Sequence, residues 1–223
     1  MNSWVVIAAY NEATVIEKVV AELVRLDYRV VVVDDGSRDA TPSLAAQAGA
    51  TVVQHPINLG QGAALQTGID FALGENAEFI VTFDADGQHM AGDIAVLLNA
   101  LATHDADFAL GSRFLDDTST VPPARRLLLR AATWFTRLTT GLRVTDTHNG
   151  LRAMTRKGAS KIRLRQNRMA HASEILHQIA RSGLRYVEAP STIAYTDYSL
   201  AKGQRLGDAI LIMIDLFARR LHR

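Results

Sequence analysis

Between Trp4 and Leu110, short β-branched runs alternate with longer stretches of helical periodicity, and this alternation constrains the fold more than any other feature. It is the signature of a mostly parallel sheet whose strands are joined by crossover helices. Strands are expected at Trp4–Ala9, Arg29–Asp34, Ala50–Gln54, Phe79–Phe83 and Asp107–Leu110. Between the first two, Val15, Ile16, Val19, Val20, Leu23 and Leu26 recur at helical spacing, with Glu17, Lys18, Glu22 and Arg25 on the opposite face. That crossover therefore reads as an amphipathic helix. A second helix is expected over Thr41–Ala48, with Thr41 as N-cap and Pro42 at the first helical position. A third runs from about Gly62 to Leu73.

Past Leu110 the texture changes. Gly111-Ser112-Arg113-Phe114, an acidic turn at Asp116 and Asp117, and Pro122-Pro123 precede a basic, apolar helix from Ala124 to about Thr140. A helix near His171 to Arg181, a strand pair around Tyr186 to Tyr195, a polar loop at Tyr198 to Gln204 and a last helix to Leu221 complete the pattern. There is no internal repeat and no low-complexity linker. With 223 residues, 48% hydrophobic and 21% charged, the chain has the composition of one globular α/β domain.

Composition also narrows the chemistry. The absence of cysteine excludes disulfides, thiolate catalysis and cysteine-ligated zinc, leaving carboxylates and histidines as metal ligands. A formal net charge of +1 gives no general reason to bind nucleic acid. The N-terminus has no basic region and too short an apolar run for a signal peptide. No run of about 18 apolar residues suggests a membrane span. A cytoplasmic protein is the expectation.

Open α/β sheets bind ligands outside the carboxyl ends of their strands, so the polar clusters there matter most. The first strand ends in Tyr10-Asn11-Glu12: an aromatic ring to cover a base, then an amide and a carboxylate to hydrogen-bond base or ribose, although Asn11 also reads as a helix cap. The second ends in Asp34-Asp35-Gly36-Ser37, where two adjacent carboxylates need a compensating donor or ligand and Ser37 reads as a cap for the next helix. The fourth ends in Asp84-Ala85-Asp86-Gly87-Gln88-His89. Two carboxylates one residue apart at a strand tip can reach one divalent cation whose other positions hold phosphate oxygens. Such a cation stabilises a departing diphosphate. Gln88 or His89 would complete the shell, although a lone histidine after a strand is ordinarily a solvated loop residue.

Together with Asn58-Leu59-Gly60-Gln61-Gly62 and Gly111-Ser112-Arg113, these clusters resemble, in order, the motifs of family 2 glycosyltransferases, in the branch of dolichyl-phosphate mannose synthase and bacterial polyprenyl-phosphate sugar transferases. The resemblance covers nearly the whole chain. It implies a nucleotide-diphospho-sugar transferase (GT-A type) fold with a mixed, mostly parallel sheet, in which residues 1–112 bind the nucleotide sugar and 113–223 the acceptor. It implies that Ala8, Tyr10, Glu12 and Asp35 hold the nucleoside, Ala8 standing where relatives often have proline. It places Asp84, Ala85, Asp86 and Gln88 at Mg²⁺ or Mn²⁺ and the diphosphate, and Arg113, Arg125 and Lys202 at donor and acceptor phosphates, a role that suits the guanidinium fork and the lysine point charge. The glycine-rich loop opens a helix, where N–H groups can meet an anion, but in such relatives it shapes the sugar-side wall.

Asp146-Thr147-His148-Asn149-Gly150-Leu151-Arg152 resembles the acceptor-side segment. The catalytic candidates are then Asp86, Arg113, Asp146 and Glu174, the last two as general bases if the acceptor is a hydroxyl. The implied reaction inverts the anomeric carbon and delivers the sugar to a polyprenyl phosphate, which needs no base. Transfer to a hydroxyl of a lipid-linked glycan, and a non-catalytic nucleotide-sugar-binding module, are the alternatives. A dinucleotide oxidoreductase fits poorly because no Gly-x-Gly-x-x-Gly follows the first strand. In the last helix Leu206, Ile210, Met213, Ile214, Phe217 and Leu221 form an apolar stripe that needs covering, first by the domain or a homodimer contact, then by an anionic membrane surface beside Arg219, Arg220 and Arg223. The Arg125–Phe135 helix mixes cations with large apolar residues in the same way. The basic stretch Lys157, Lys161, Arg163, Arg165 and Arg168 reads as a solvated loop.

Overall fold

The computed structural model describes residues 2–116, 123–166 and 171–194, and within these no side chain at 123–128 or 131. The loop at Tyr198–Gln204, with Lys202, and the apolar helix at Leu206–Leu221 lie outside the described residues. So do the side chain of Arg125 and all of Arg168.

Seven strands form one sheet: β1 (Ser3–Ala9), β2 (Arg29–Asp34), β3 (Thr51–Gln54), β4 (Phe79–Asp84), β5 (Phe108–Ser112), β6 (Arg152–Thr155) and β7 (Tyr186–Pro190). Their order is β3-β2-β1-β4-β6-β5-β7. β3, β2, β1 and β4 pair in parallel, β6 runs antiparallel to both β4 and β5, and β7 pairs in parallel with β5. The expected mixed, mostly parallel sheet is present.

The helices are α1 (Ile16–Arg25), α2 (Thr41–Gln47), α3 (Gln61–Gly74), α4 (Asp93–Thr103), α5 (Pro123–Thr140), α6 (Arg156–Ala159) and α7 (His171–Ser182). Alternation along β1 divides the core between them. Val5, Ile7 and Ala9 meet α1 through Val20 and Leu23 and α4 through Ile94 and Leu97. Trp4 and Val6 meet α3 through Leu65 and Ile69 and α7 through Ile175 and Leu176. Among the described residues, no helix is long and apolar enough to cross a membrane.

Three elements escape the sequence patterns, one of them the four-residue α6, which carries Lys157 of the basic stretch expected as a loop. α4, Asp-Ile-Ala-Val-Leu-Leu-Asn-Ala-Leu-Ala-Thr, is apolar nearly all round and so shows little amphipathic periodicity. β6 is only Arg-Ala-Met-Thr, with one β-branched residue. The expected strand pair near Tyr186 is instead one strand ending at Pro190, followed by a single bridge between His89 and Ile193. Proline lacks the N–H needed to extend a ladder.

Three expected caps, Asn11, Ser37 and Thr41, are also corrected, the N-caps of α1 and α2 being Val15 and Ala40. Thr41 is inside α2, whose N-cap is Ala40; the Thr41 hydroxyl accepts Glu12 N–H at 2.8 Å and bonds Asp39. Ser37 Oγ accepts Asn11 N–H, and Asn11 Oδ1 accepts Arg38 N–H, both at 2.9 Å. These hydroxyls and amides tie the loops after β1 and β2 together rather than capping helices.

β1, β2 and β3 are laid outward in sequence, and α3 then carries the chain back across them to β4 on the other side of β1. The carboxyl ends of β1 and β4 therefore flank the topological switch point, where such sheets open a crevice. Because β6 is antiparallel, its beginning, not its end, comes to the same edge.

Candidate active site

Register sets the donor side of this edge. Ala8 lies opposite both Val33 and Asp84, and Ala9 opposite Asp34, so Tyr10-Asn11-Glu12, Asp34-Asp35 and Asp84–Asp86 leave the sheet together. Tyr10 is 41% exposed while Glu12 is buried. A cleft of about 360 Å³ is lined by Tyr10, Asp34, Arg38, Gln54, His55 and Asn58, among others.

The two neighbouring aspartates divide their work. Asp35 accepts Leu59 N–H at 2.9 Å and Gly60 N–H at 2.7 Å, and its Oδ1 lies 2.8 Å from His55 Nδ1, whose Nε2 lies 3.0 Å from Thr67 Oγ1. The anion met by the glycine-rich loop is thus the chain's own Asp35. Gly60, at φ 99°, is the residue whose freedom lets that loop turn into α3. Asp34 accepts Ser37 N–H with Oδ2 at 3.3 Å, whereas its Oδ1 is buried without a partner. The compensation expected for the pair is internal for Asp35 and incomplete for Asp34.

Asp84 and Asp86 differ in the same manner. Asp84 Oδ2 lies 2.9 Å from Nε2 of His89, and Gln61 Nε2 approaches Oδ1 at 3.5 Å. A Cβ on Gly150 would run into this carboxylate. Burial opposes ionisation of Asp84, but His89, Arg152 and His171 outweigh it and hold its pKa below the ordinary value. His89 is buried against Phe83, a correction to its reading as a solvated loop residue. Asp86 is hydrogen-bonded by Gln88, from N at 3.0 Å and Nε2 at 2.8 Å. Burial and then the Asp84 charge push its pKa up, Glu12 adding to the effect against Gln88 and His89.

The residues present fit a hard divalent cation. Asp84, Asp86 and Gln88 supply oxygen donors, and burial and two like charges oppose the ionisation of Asp86, a cost that a cation relieves. Among the described residues, no group of three or more His, Cys, Asp or Glu side chains is arranged to hold a metal by itself. Phosphate oxygens and water would have to complete the coordination.

The other side of the crevice is assembled by β5, the 145–151 segment and β6. Arg113 donates from Nε to Asp146 Oδ2 at 2.6 Å and from Nη2 to Oδ1 at 2.8 Å, a two-pronged buried ion pair. Asp146 Oδ1 also accepts His148 N–H at 3.1 Å. Burial resists its charge, yet Arg113 and these N–H groups hold the Asp146 pKa below the ordinary carboxylate value. Beneath them Glu188 accepts Thr145 N–H at 2.7 Å and Thr145 Oγ at 2.9 Å. Glu174 is spent on α7's neighbouring loop, accepting Arg165 N–H, Gln166 N–H and Gln178 Nε2.

Of the residues singled out in the sequence, the structure gathers Ala8, Tyr10, Glu12, Asp84, Ala85, Asp86 and Gln88 around the crevice and sets Arg113 with Asp146 beside it. It buries His89 against Asp84 and adds Asp34, His55 and Arg152. Asp34 and Arg152 stood inside motifs already noticed, but only a register and a burial could distinguish them. His55 had no local signal, because its partners are 12 and 20 residues away.

A family model described as glycosyl transferase family 2 matches residues 4–163. The UDP-N-acetylglucosamine–dolichyl-phosphate N-acetylglucosaminyltransferase of Methanococcus voltae is 31% identical, covering 98% of this chain and 94% of the relative. The undecaprenyl-phosphate mannosyltransferase of Micrococcus luteus is 29% identical over 95% of this chain and 92% of its own. Among solved structures, glucosyl-3-phosphoglycerate synthase from Mycobacterium tuberculosis, in complex with Mn²⁺ and UDP-glucose, superposes with a TM-score of 0.72 at 21% identity, covering 98% of this chain and 78% of that one. That likeness carries the fold. The family match, over more than half of the chain, carries the membership: the chain belongs to glycosyl transferase family 2 and is a glycosyltransferase.

Proposed function

We propose that this enzyme transfers a sugar, with inversion, from a nucleotide-diphosphate donor to a polyprenyl phosphate. The observation that carries the reading is the state of Asp146. A hydroxyl acceptor needs a base to take its proton, but Asp146 is gripped on both oxygens by Arg113, which lowers its proton affinity. Glu174, the other candidate, has its oxygens filled by two backbone N–H groups and an amide. A phosphate acceptor is anionic at neutral pH and needs neither. The names of the relatives from Methanococcus voltae and Micrococcus luteus support the same acceptor class.

In this reading Tyr10 and Asp34 form the walls that receive the base, and Glu12 and Ala8 approach the nucleoside. Asp35 keeps the 58–60 loop against them. Asp84, Asp86 and Gln88 would hold Mg²⁺ or Mn²⁺, which supplies charge neutralisation to the diphosphate leaving group. Arg113, fixed by Asp146, presents its guanidinium toward the phosphates; Arg125 and Lys202 are assigned to the acceptor phosphate by resemblance alone. An acceptor phosphate oxygen attacks the anomeric carbon, the bond from that carbon to the donor's β-phosphate oxygen breaks, and the electron pair leaves with the nucleoside diphosphate. No proton moves.

The test is a product analysis. Purified protein with Mn²⁺ is incubated with a panel of nucleotide sugars, offered farnesyl phosphate or a glycan hydroxyl acceptor, and the products are weighed by mass spectrometry. A glycosylated farnesyl phosphate is expected. Transfer confined to the glycan would overturn the reading.

A further inference from the structure

Arg152 opens β6, opposite Thr82 on β4 and Leu110 on β5. Cross-strand partners share a sheet face, and Asp84 lies two residues beyond Thr82 on that same face. Arg152 is only 4% exposed. Among the described residues its guanidinium makes no hydrogen bond and no ion pair; what it feels is the more distant charge of Asp84 and Asp146. Each of those carboxylates already has a closer partner, His89 for Asp84 and Arg113 for Asp146. Burial draws the Arg152 pKa down to about 10 against the pull of the two carboxylates, so at neutral pH the group remains a cation.

A buried guanidinium has five N–H donors to satisfy; within the described fold none of them is hydrogen-bonded, and its charge is met only from a distance by Asp84 and Asp146. Its place is the ligand-binding edge of the sheet, between the Asp84–Asp86 strand tip and the Arg113–Asp146 pair. We propose that Arg152 is a phosphate-binding residue that receives an oxyanion of a substrate. A sugar hydroxyl would take up one donor at a time; a phosphate oxyanion adds a charge in direct contact and matches the fork with two parallel hydrogen bonds. The inference rests on the preceding reading, in which both substrates carry phosphate. The oxyanion belongs either to the donor's diphosphate or to the acceptor's phosphate.

The full chain separates these sources by calorimetric titration with two probes, inorganic pyrophosphate with Mg²⁺ and farnesyl phosphate. Arg152→Met keeps the length of the side chain and removes the charge; Arg152→Lys keeps the charge and removes the fork. Arg152→Met is expected to weaken at least one probe by about 10- to 100-fold, with Arg152→Lys between it and the wild type. Loss confined to pyrophosphate assigns the donor, and loss confined to farnesyl phosphate assigns the acceptor. The melting temperature of Arg152→Met should hold, because the guanidinium makes no hydrogen bond or ion pair among the described residues, while Asp84 keeps His89 and Asp146 keeps Arg113. Unchanged affinity for both probes overturns the proposal. An unchanged affinity with a lowered melting temperature would identify Arg152 as a structural counter-ion for Asp84 and Asp146. Should the wild-type chain bind neither probe, the functional reading falls together with the inference.

Discussion

The β1–β4 crevice around Asp86 and the β5–β6 edge around Asp146 treat a carboxylate in opposite ways. Asp86 is half-buried beside Asp84 and within the field of Glu12, and its pKa is raised. Asp146 is buried against a guanidinium and two backbone N–H donors, and its pKa is lowered. At the first site like charges crowd Asp86, and in the function proposed above a cation from outside completes it; the second has its cation built in. A carboxylate that waits for a ligand and one that holds a side chain in place can thus be told apart by their partners, although both follow the same sheet.

Removing Asp86 should give the largest effect. Asp86→Ala is expected to lower transfer by about 10³-fold, in keeping with a metal contribution of several kcal/mol to the transition state. Initial rates at saturating Mn²⁺ measure it. Folding should not suffer. Because the folded-state pKa of Asp86 lies above its unfolded value, its favourable contribution is full below the unfolded pKa and lost as pH rises through the folded one. Asp86→Asn should therefore raise the melting temperature at neutral pH; a fall would break the contrast with Asp146.

Asp146 should respond with the other sign. Its pKa is depressed on folding, so its stabilisation is present above the unfolded pKa and disappears as pH falls through the folded value. Asp146→Ala strands a buried guanidinium and should cost about 3–5 kcal/mol, read from urea unfolding at neutral pH. The deficit relative to wild type should shrink in acid. If Asp146→Ala unfolds at the wild-type urea concentration, the Arg113 pair is not what holds this edge together.

The same contrast separates what the sequence discloses from what it conceals. Strands β1, β2 and β4 end in motifs that register makes adjacent, and a parallel sheet predicts that adjacency from chain order alone. Hence the crevice with Tyr10, Glu12, Asp84 and Asp86 was readable. The acceptor edge depends on β6, four residues with little strand propensity, whose reversal brings residues 146–152 to the same end. Without that reversal Asp146 reads as a base and Arg152 as no more than the last residue of the acceptor-side segment. Asp35 and His55 show the matching limit on the donor side, since neither spacing nor residue type indicates which carboxylate the 59–60 loop occupies.

Asp34 and Asp35 sharpen the donor side with smaller effects. Asp34→Asn alters a residue that lines the cleft and has one buried oxygen without a partner, and should weaken nucleotide binding by about tenfold, the worth of one charge-assisted hydrogen bond. Asp35→Asn disturbs His55 and the 59–60 loop, so it should lower the melting temperature more than it lowers affinity at a temperature where the protein is folded. Titration of nucleoside diphosphates alongside melting curves makes the comparison. The reverse pattern would give Asp35 the base and Asp34 the scaffold.

The smallest expected change bears most directly on the acceptor. Glu174→Gln retains one carbonyl oxygen for the N–H groups of Arg165 and Gln166 but can no longer take a proton. If the acceptor is a phosphate, transfer to farnesyl phosphate should stay within about threefold of wild type, because general base catalysis, worth about 10²–10⁴-fold where it operates, is not in use. The pH profile should keep its shape as well, since no titrating base has been removed. A loss of about 10² or more in rate, in a variant whose melting temperature matches wild type, would return Glu174 to the reacting atoms. It would also move the acceptor from a phosphate to a hydroxyl.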